Sequence, residues 1–85
     1  MAIAEQLQEF CGERRRDLVR FANLQLRDEA LAEDVVQETL IAALQGTDEF
    51  SGRSSVKTWV YSILKHKIVD TLRSRRRERA PPVSS

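Results

Sequence analysis

This 85-residue chain contains one cysteine, two prolines, three glycines, one histidine and five aromatic residues. Each scarcity excludes something. A lone Cys11 forms no internal disulfide, which suits a reducing compartment, and its expected role is that of a small buried apolar residue. Both prolines stand together at Pro81 and Pro82, so nothing breaks a helix before them. No run alternates β-branched with polar residues and no hairpin dipeptide occurs, so no strand is expected. The start, "MAIAEQLQEF", has no basic segment and no continuous apolar stretch, which excludes a signal peptide. No apolar run approaches the ~20 residues that a membrane span needs. His66 has no cysteine near it in sequence, and there is no phosphate-cradling glycine motif and no metal-ligand spacing. Asp34 and Glu38 are carboxylates four residues apart, an arrangement usual on a charged helix face. We therefore expect no enzyme, no cofactor and no metal.

What is present is a composition of 41% hydrophobic and 32% charged residues, that of one small foldable domain. A chain this short buries only roughly 60–65% of the surface its unfolded form exposes, so its stability margin is thin. The net charge of +1 hides an asymmetry. Residues 1–50 hold 11 acids and 5 bases, for −6, whereas residues 51–85 hold 2 acids and 9 bases, for +7. From Asp28 to Gly52 there are seven acids and no base. Such polarity suggests two partners of opposite character, one of them nucleic acid, unless the two halves simply pair with each other.

Three helices are expected. The first runs from about Ile3 to Leu26 on a stripe of Leu7, Phe10, Cys11, Leu18, Phe21, Ala22 and Leu26, with a bend or restart possible at Gly12. Asp28 caps the second helix, which ends near Gln45 with Gly46 as its stop. Ser54 or Ser55 caps the third, which runs to about Arg77; "APPVSS" then reads as a linker.

Projected at 100° per residue, Leu31, Ala32, Val35, Val36, Thr39, Ala42 and Ala43 share the core face of the second helix. Opposite lie Asp34, Gln37, Glu38 and Gln45, with Ile41 among them. An apolar residue ringed by acids and amides resembles a small protein-binding patch, although isolated exposed apolar residues are also ordinary. On the third helix, Val56, Val60, Ile63 and Leu64 form the buried stripe, with Lys67 lying along it and its ammonium reaching out. Trp59 and Tyr61 flank that stripe. The outer face carries Thr58, Ser62, Lys65, Val69, Arg73 and Arg76, a column of hydroxyls and cations suited to a phosphate backbone, or else merely a solvated basic face. Aromatic rings beside a cationic track and a Gly/Ser loop add the option of base stacking, though Trp59 fits the core better than a base.

The segments "LAEDVVQETLIAAL", "EFSGRSSVKTWVYSIL" and "KIVDTLRSRRR", in that order, resemble region 2 of bacterial sigma-70 family RNA polymerase sigma factors, of the compact extracytoplasmic-function (ECF) group. The resemblance covers residues 17 to 77. It implies an all-α three-helix bundle with a base-capturing loop before the third helix. It also implies a region 2 domain over residues 1–77, with 78–85 as a linker towards a missing domain that reads the −35 element, as expected of a piece of a longer chain. Asp34, Gln37, Glu38 and Ile41 would dock on the clamp helices of the RNA polymerase β′ subunit. The loop from about Thr47 to Ser55 would capture a base extruded from the non-template strand of the −10 promoter element. The DNA-binding set implied is Phe50, Ser51, Arg53, Ser54, Ser55, Lys57, Thr58, Trp59, Tyr61, Ser62, Lys65, Arg73 and Arg76, with Trp59 and Tyr61 bracing the junction. Asp70 would pair with a neighbouring arginine. The partners implied are RNA polymerase core, promoter DNA and an anti-sigma factor, in the cytoplasm and without direct membrane contact. Leu64 stands where the family more often has a small residue, and His66 where it often has Asn.

Two other readings compete. A generic three-helix domain would read duplex DNA through a recognition helix and needs no acidic partner face. An adaptor with its basic tail on anionic membrane would need a strongly amphipathic Trp/Leu face, which is not found beside "RSRRRER".

Overall fold

The computed structural model of the chain describes residues 3–47, 50 and 55–79. It consists of α1 (Ile3–Leu26), α2 (Glu29–Gln45) and α3 (Val56–Arg79), each packed against the other two. Only Arg27 and Asp28 separate α1 from α2, so these helices run antiparallel. Contacts along α1 and α3 ascend together: Phe21 meets Tyr61, and further on Leu26 meets Arg75. The first and third helices are therefore parallel, in an up-down-up bundle.

The core is aliphatic. Leu7, Leu18, Ala22 and Leu26 enter it from α1, Ala32, Val35, Val36 and Ala43 from α2, and Val60, Leu64 and Ile68 from α3. These follow the i, i+4 and i+7 spacings that put apolar residues on one helix face. Of the stripe expected on α3, Val60 and Leu64 are buried and Val56 and Ile63 half-buried, and Ile68, which was not expected there, continues the Val60–Leu64 row by one more turn. Alanines on α2 let the backbones approach closely, and Leu64 fills the space opposite. The one buried polar side chain among the described residues, Thr39, donates its hydroxyl to the Val35 carbonyl at 2.8 Å. No buried polar group is thus left unpaired.

The helix ends have identifiable causes. Asp28 caps α2 by accepting from the Leu31 amide at 3.1 Å. Ser55, one of the two expected caps, accepts from the Thr58 amide at 3.1 Å at the start of α3, and Ser54 lies outside the described residues. Gly46 closes α2 with its amide on the Ala42 carbonyl at 2.9 Å, at φ −103, without using a left-handed conformation. The left-handed position is instead Arg27, at φ 55, where α1 stops and its amide bonds the Asn23 carbonyl at 2.7 Å. Arg75 then supplies what α1 lacks at its C-terminus: its guanidinium donates to the Leu26 carbonyl at 2.9 Å, across 49 residues of sequence.

Three expectations are corrected. α1 runs through Gly12 without a break, because the residue lies on the exposed side and Leu7 and Leu18 anchor the helix on either side of it. α3 reaches Arg79, the last described residue, rather than Arg77. Cys11 is half-buried rather than part of the core, and burial raises its thiol pKa despite the opposing charge of Arg15.

Candidate nucleic-acid and partner-binding interfaces

On α2, the side chains of Asp34, Gln37 and Glu38 are all exposed, and Ile41 stands among them at 47% exposure. The α2 core residues hold this face outward. Leu44, also exposed, extends the apolar element by one turn, since it lies three residues beyond Ile41. Its flanks, Ala43 and Gln45, give no sign of a binding face, and so close to the helix end it reads equally well as core.

On α3, Thr58, Ser62, Lys65, Val69, Arg73 and Arg76 are all exposed, as is Lys57. They lie along one side of a single straight element, so their order is fixed by the helix and not by a loop. Two shallow grooves mark this side. One, of about 530 Å³, is lined by Lys57, Thr58, Tyr61, Ser62, Lys65 and His66. The next, of about 270 Å³, is lined by Lys65, His66, Val69, Asp70 and Arg73. Lys65 and His66 belong to both and join them into one track.

The aromatic residues act as walls. Trp59 packs on the margin of the core, and the Phe50 ring lies against it with centroids 5.1 Å apart and planes tilted by 47°. A hydrogen bond from the Phe50 amide to the Thr47 carbonyl, 3.1 Å, turns the chain at this point. Tyr61 meets Phe21 edge-on at 5.3 Å and 90°, a favoured geometry for aromatic pairs. Both rings of α3 are thus held by packing, and Tyr61 also lines the first groove. Ser55 uses its hydroxyl twice, accepting from the Thr58 amide and donating to the Thr58 hydroxyl, each at 3.1 Å. It shapes the start of the track. Ser51, Arg53 and Ser54 lie outside the described residues.

The acidic and basic halves do not neutralise each other. Among the described residues the one ion pair is Arg14–Asp17, 3.6 Å apart within α1 and exposed. Asp70, expected to pair with an arginine, makes no such pair among the described residues, because Arg73 turns along the track and Arg75 is drawn to the Leu26 carbonyl. In the basic run, Arg75 braces the bundle, whereas Arg73 and Arg76, the two arginines of the projected outer column, are exposed. Among the described residues no group of His, Cys, Asp and Glu could hold a metal, and no helix is long and apolar enough to cross a membrane.

Comparison with protein families matches residues 12–78 to the model described as Sigma-70 region 2. The chain belongs to that family. A sequence named "Probable RNA polymerase sigma factor" from Haemophilus influenzae is 43% identical over 63 residues, covering 74% of this chain and 32% of its own length. The "ECF RNA polymerase sigma factor SigX" of Bacillus subtilis is 40% identical over 58 residues, 68% of this chain and 30% of its own. The "ECF RNA polymerase sigma factor SigC" of Mycobacterium tuberculosis is 36% identical over 67 residues, 79% of this chain and 36% of its own. This chain thus spans about a third of the length of these relatives, and it is a region 2 of the ECF type. No solved structure gave a significant match. The all-α three-helix bundle expected from the sequence is the one observed.

Proposed function

We propose that this domain is the promoter-recognition module of an ECF sigma factor, docking on RNA polymerase through α2 and holding −10 promoter DNA through α3. The observation that carries this reading is the pair of oppositely charged faces, each turned away from the core and neither consumed by ion pairs with the other. A bundle whose charges served only itself would join them.

The α2 face has the composition of a docking site, with an apolar centre at Ile41 rimmed by Asp34, Gln37 and Glu38. Its acids suit a basic helical partner, and the proposed partner is the clamp helices of the polymerase β′ subunit. The α3 track supplies cations and hydroxyls to the phosphates at the upstream edge of the melted region, with Ser62 and Lys65 at its centre. The loop between α2 and α3 would receive a base flipped from the non-template strand, an extrusion that costs a few kcal/mol and is offset by stacking and pocket contacts. Trp59, wedged between Phe50 and the core, would brace that junction. An anti-sigma factor covering either face would silence the domain. All of this chemistry belongs where polymerase and chromosome are, in the cytoplasm, and none of it makes or breaks a covalent bond.

The test is binding of this chain to the isolated β′ clamp coiled coil, with Asp34→Arg as the comparison. Reversing one charge at the centre of an apolar and acidic patch is expected to weaken binding at least tenfold, by 1.4 kcal/mol or more. Equal binding by a variant with unchanged helical content would remove α2 from the docking role.

A further inference from the structure

His66 occupies a place on the track that neither the family resemblance nor the docking and DNA assignments above use. It is exposed on α3 and lines both grooves, between Lys57, Thr58 and Ser62 on one side and Arg73 on the other. Every side chain lining the two grooves belongs to α3. Among the described residues, the charged or titratable groups facing the imidazole are therefore Lys57, Tyr61, Lys65, Asp70 and Arg73. Of these only Asp70 is acidic, and His66 forms no ion pair with it.

Such surroundings give the ring a specific chemistry. The neighbouring donors are the ammonium groups of Lys57 and Lys65 and the hydroxyls of Thr58 and Ser62, a set that recognises phosphate oxygens. An imidazole among them offers a neutral hydrogen bond at high pH and a charge-assisted one when protonated. Histidine is the only side chain whose ordinary titration falls between pH 5 and 8, and this chain has one.

We propose that His66 is a phosphate-binding residue of the DNA track, so that DNA binding takes up a proton and strengthens as pH falls. This rests on the reading of α3 as the DNA-holding element. The direction follows from linkage: a ligand that prefers the imidazolium form binds more tightly where that form is populated, and its binding in turn favours protonation. Protonation adds one phosphate contact at low pH to those that Lys65 and Arg73 make at any pH.

The experiment is fluorescence anisotropy of this chain with a fork-junction DNA, duplex upstream and single-stranded downstream, at about pH 5.5 and about pH 8. Affinity is measured over a range of salt at each pH. The expected result is binding about two- to fivefold tighter at the lower pH, the range that exposed charge pairs span. The log–log salt slope should be steeper there by about 0.9, the signature of one further phosphate contact. His66→Gln, which keeps a neutral donor, should bind with the same affinity and the same slope at both values. Asp70→Asn should keep the pH dependence; its loss there would show that the proton acts by neutralising Asp70 and would overturn the proposal. A pH dependence that survives in His66→Gln overturns it as well. Binding that is independent of pH overturns it while leaving α3 as the DNA-holding element, whereas no DNA binding at either pH overturns both.

Discussion

At the residue scale, the positions that matter most are those where the local environment contradicts the residue's usual habit. Gly12 is a glycine in the middle of a helix that needs none: it is exposed, and a Cβ built there would meet nothing within 4 Å. Gly12→Ala is therefore expected to raise stability by about 0.5–1 kcal/mol, read as an increase in melting temperature with unchanged helical spectrum. Arg27 is the converse, a side-chain-bearing residue at φ 55 where glycine would be easy. Sequence inspection weighed Gly12 as a break and passed over Arg27, because residue type alone reports what a position permits and not what the chain around it requires. Ile41 was legible for a different reason. Its neighbours at three and four residues include Gln37, Glu38 and Gln45, so the projection sets it apart from the core face whatever the tertiary packing. Ile68 was equally open to that projection, as the next step of the Val60–Leu64 row, but the cations Lys65 and Lys67 and His66 around it mask its apolar character.

At the scale of the helices, the caps and the cross-helix tie decide how well each face is presented. Ser55 holds the first turn of α3 by its bond to the Thr58 amide, so Ser55→Ala should cost about 1 kcal/mol in urea unfolding. It should also fray Lys57 and Thr58, raising their amide exchange before that of Val60 and Leu64. The basic run of α3 separates by direction. Arg73→Gln should lower the salt slope of DNA binding by about one unit with little change in stability. Arg75→Gln should do the opposite, leaving the slope unchanged and destabilising the fold through the exposed Leu26 carbonyl, by about 1 kcal/mol. A comparison of the two slopes checks the division. Projection sets Arg73 and Arg76 apart from Arg75, but nothing in the run "RSRRRER" shows what Arg75 bonds, since that comes from where α1 ends, 49 residues earlier. The helix boundaries themselves were readable because Asp28, Gly46 and the late prolines are strong punctuation. The pairing of Phe21 with Tyr61 was not, since it depends on α1 and α3 running parallel.

At the scale of the whole molecule, the bundle is an aliphatic core of eleven buried apolar residues with charge sorted onto separate outer faces. Because the core is small, each large member carries much of the stability. Leu64 is one of three α3 residues fully buried in the core, and its packing helps to set how the outer side of α3, with Ser62 and Lys65, is presented. The resemblance to sigma region 2 was visible in three short segments, and the fold it implied is the one found. What those segments could not convey is that, among the described residues, no ion pair joins the two halves. Net charges of −6 and +7 invite the opposite conclusion, and only the separation of the faces in space removes it.

The length of α3 sets a ruler. From Thr58 to Arg76 the helix rises about 27 Å, which on one strand of a duplex is about eight base-pair steps. If α3 is the DNA-holding element proposed above, its cations would meet phosphates at two places along the DNA, near Lys65 and near Arg73 and Arg76. Moving these residues along the helix by one turn would then shift the footprint by between one and two base pairs. On that reading the domain's register on its promoter is a length written into a single helix.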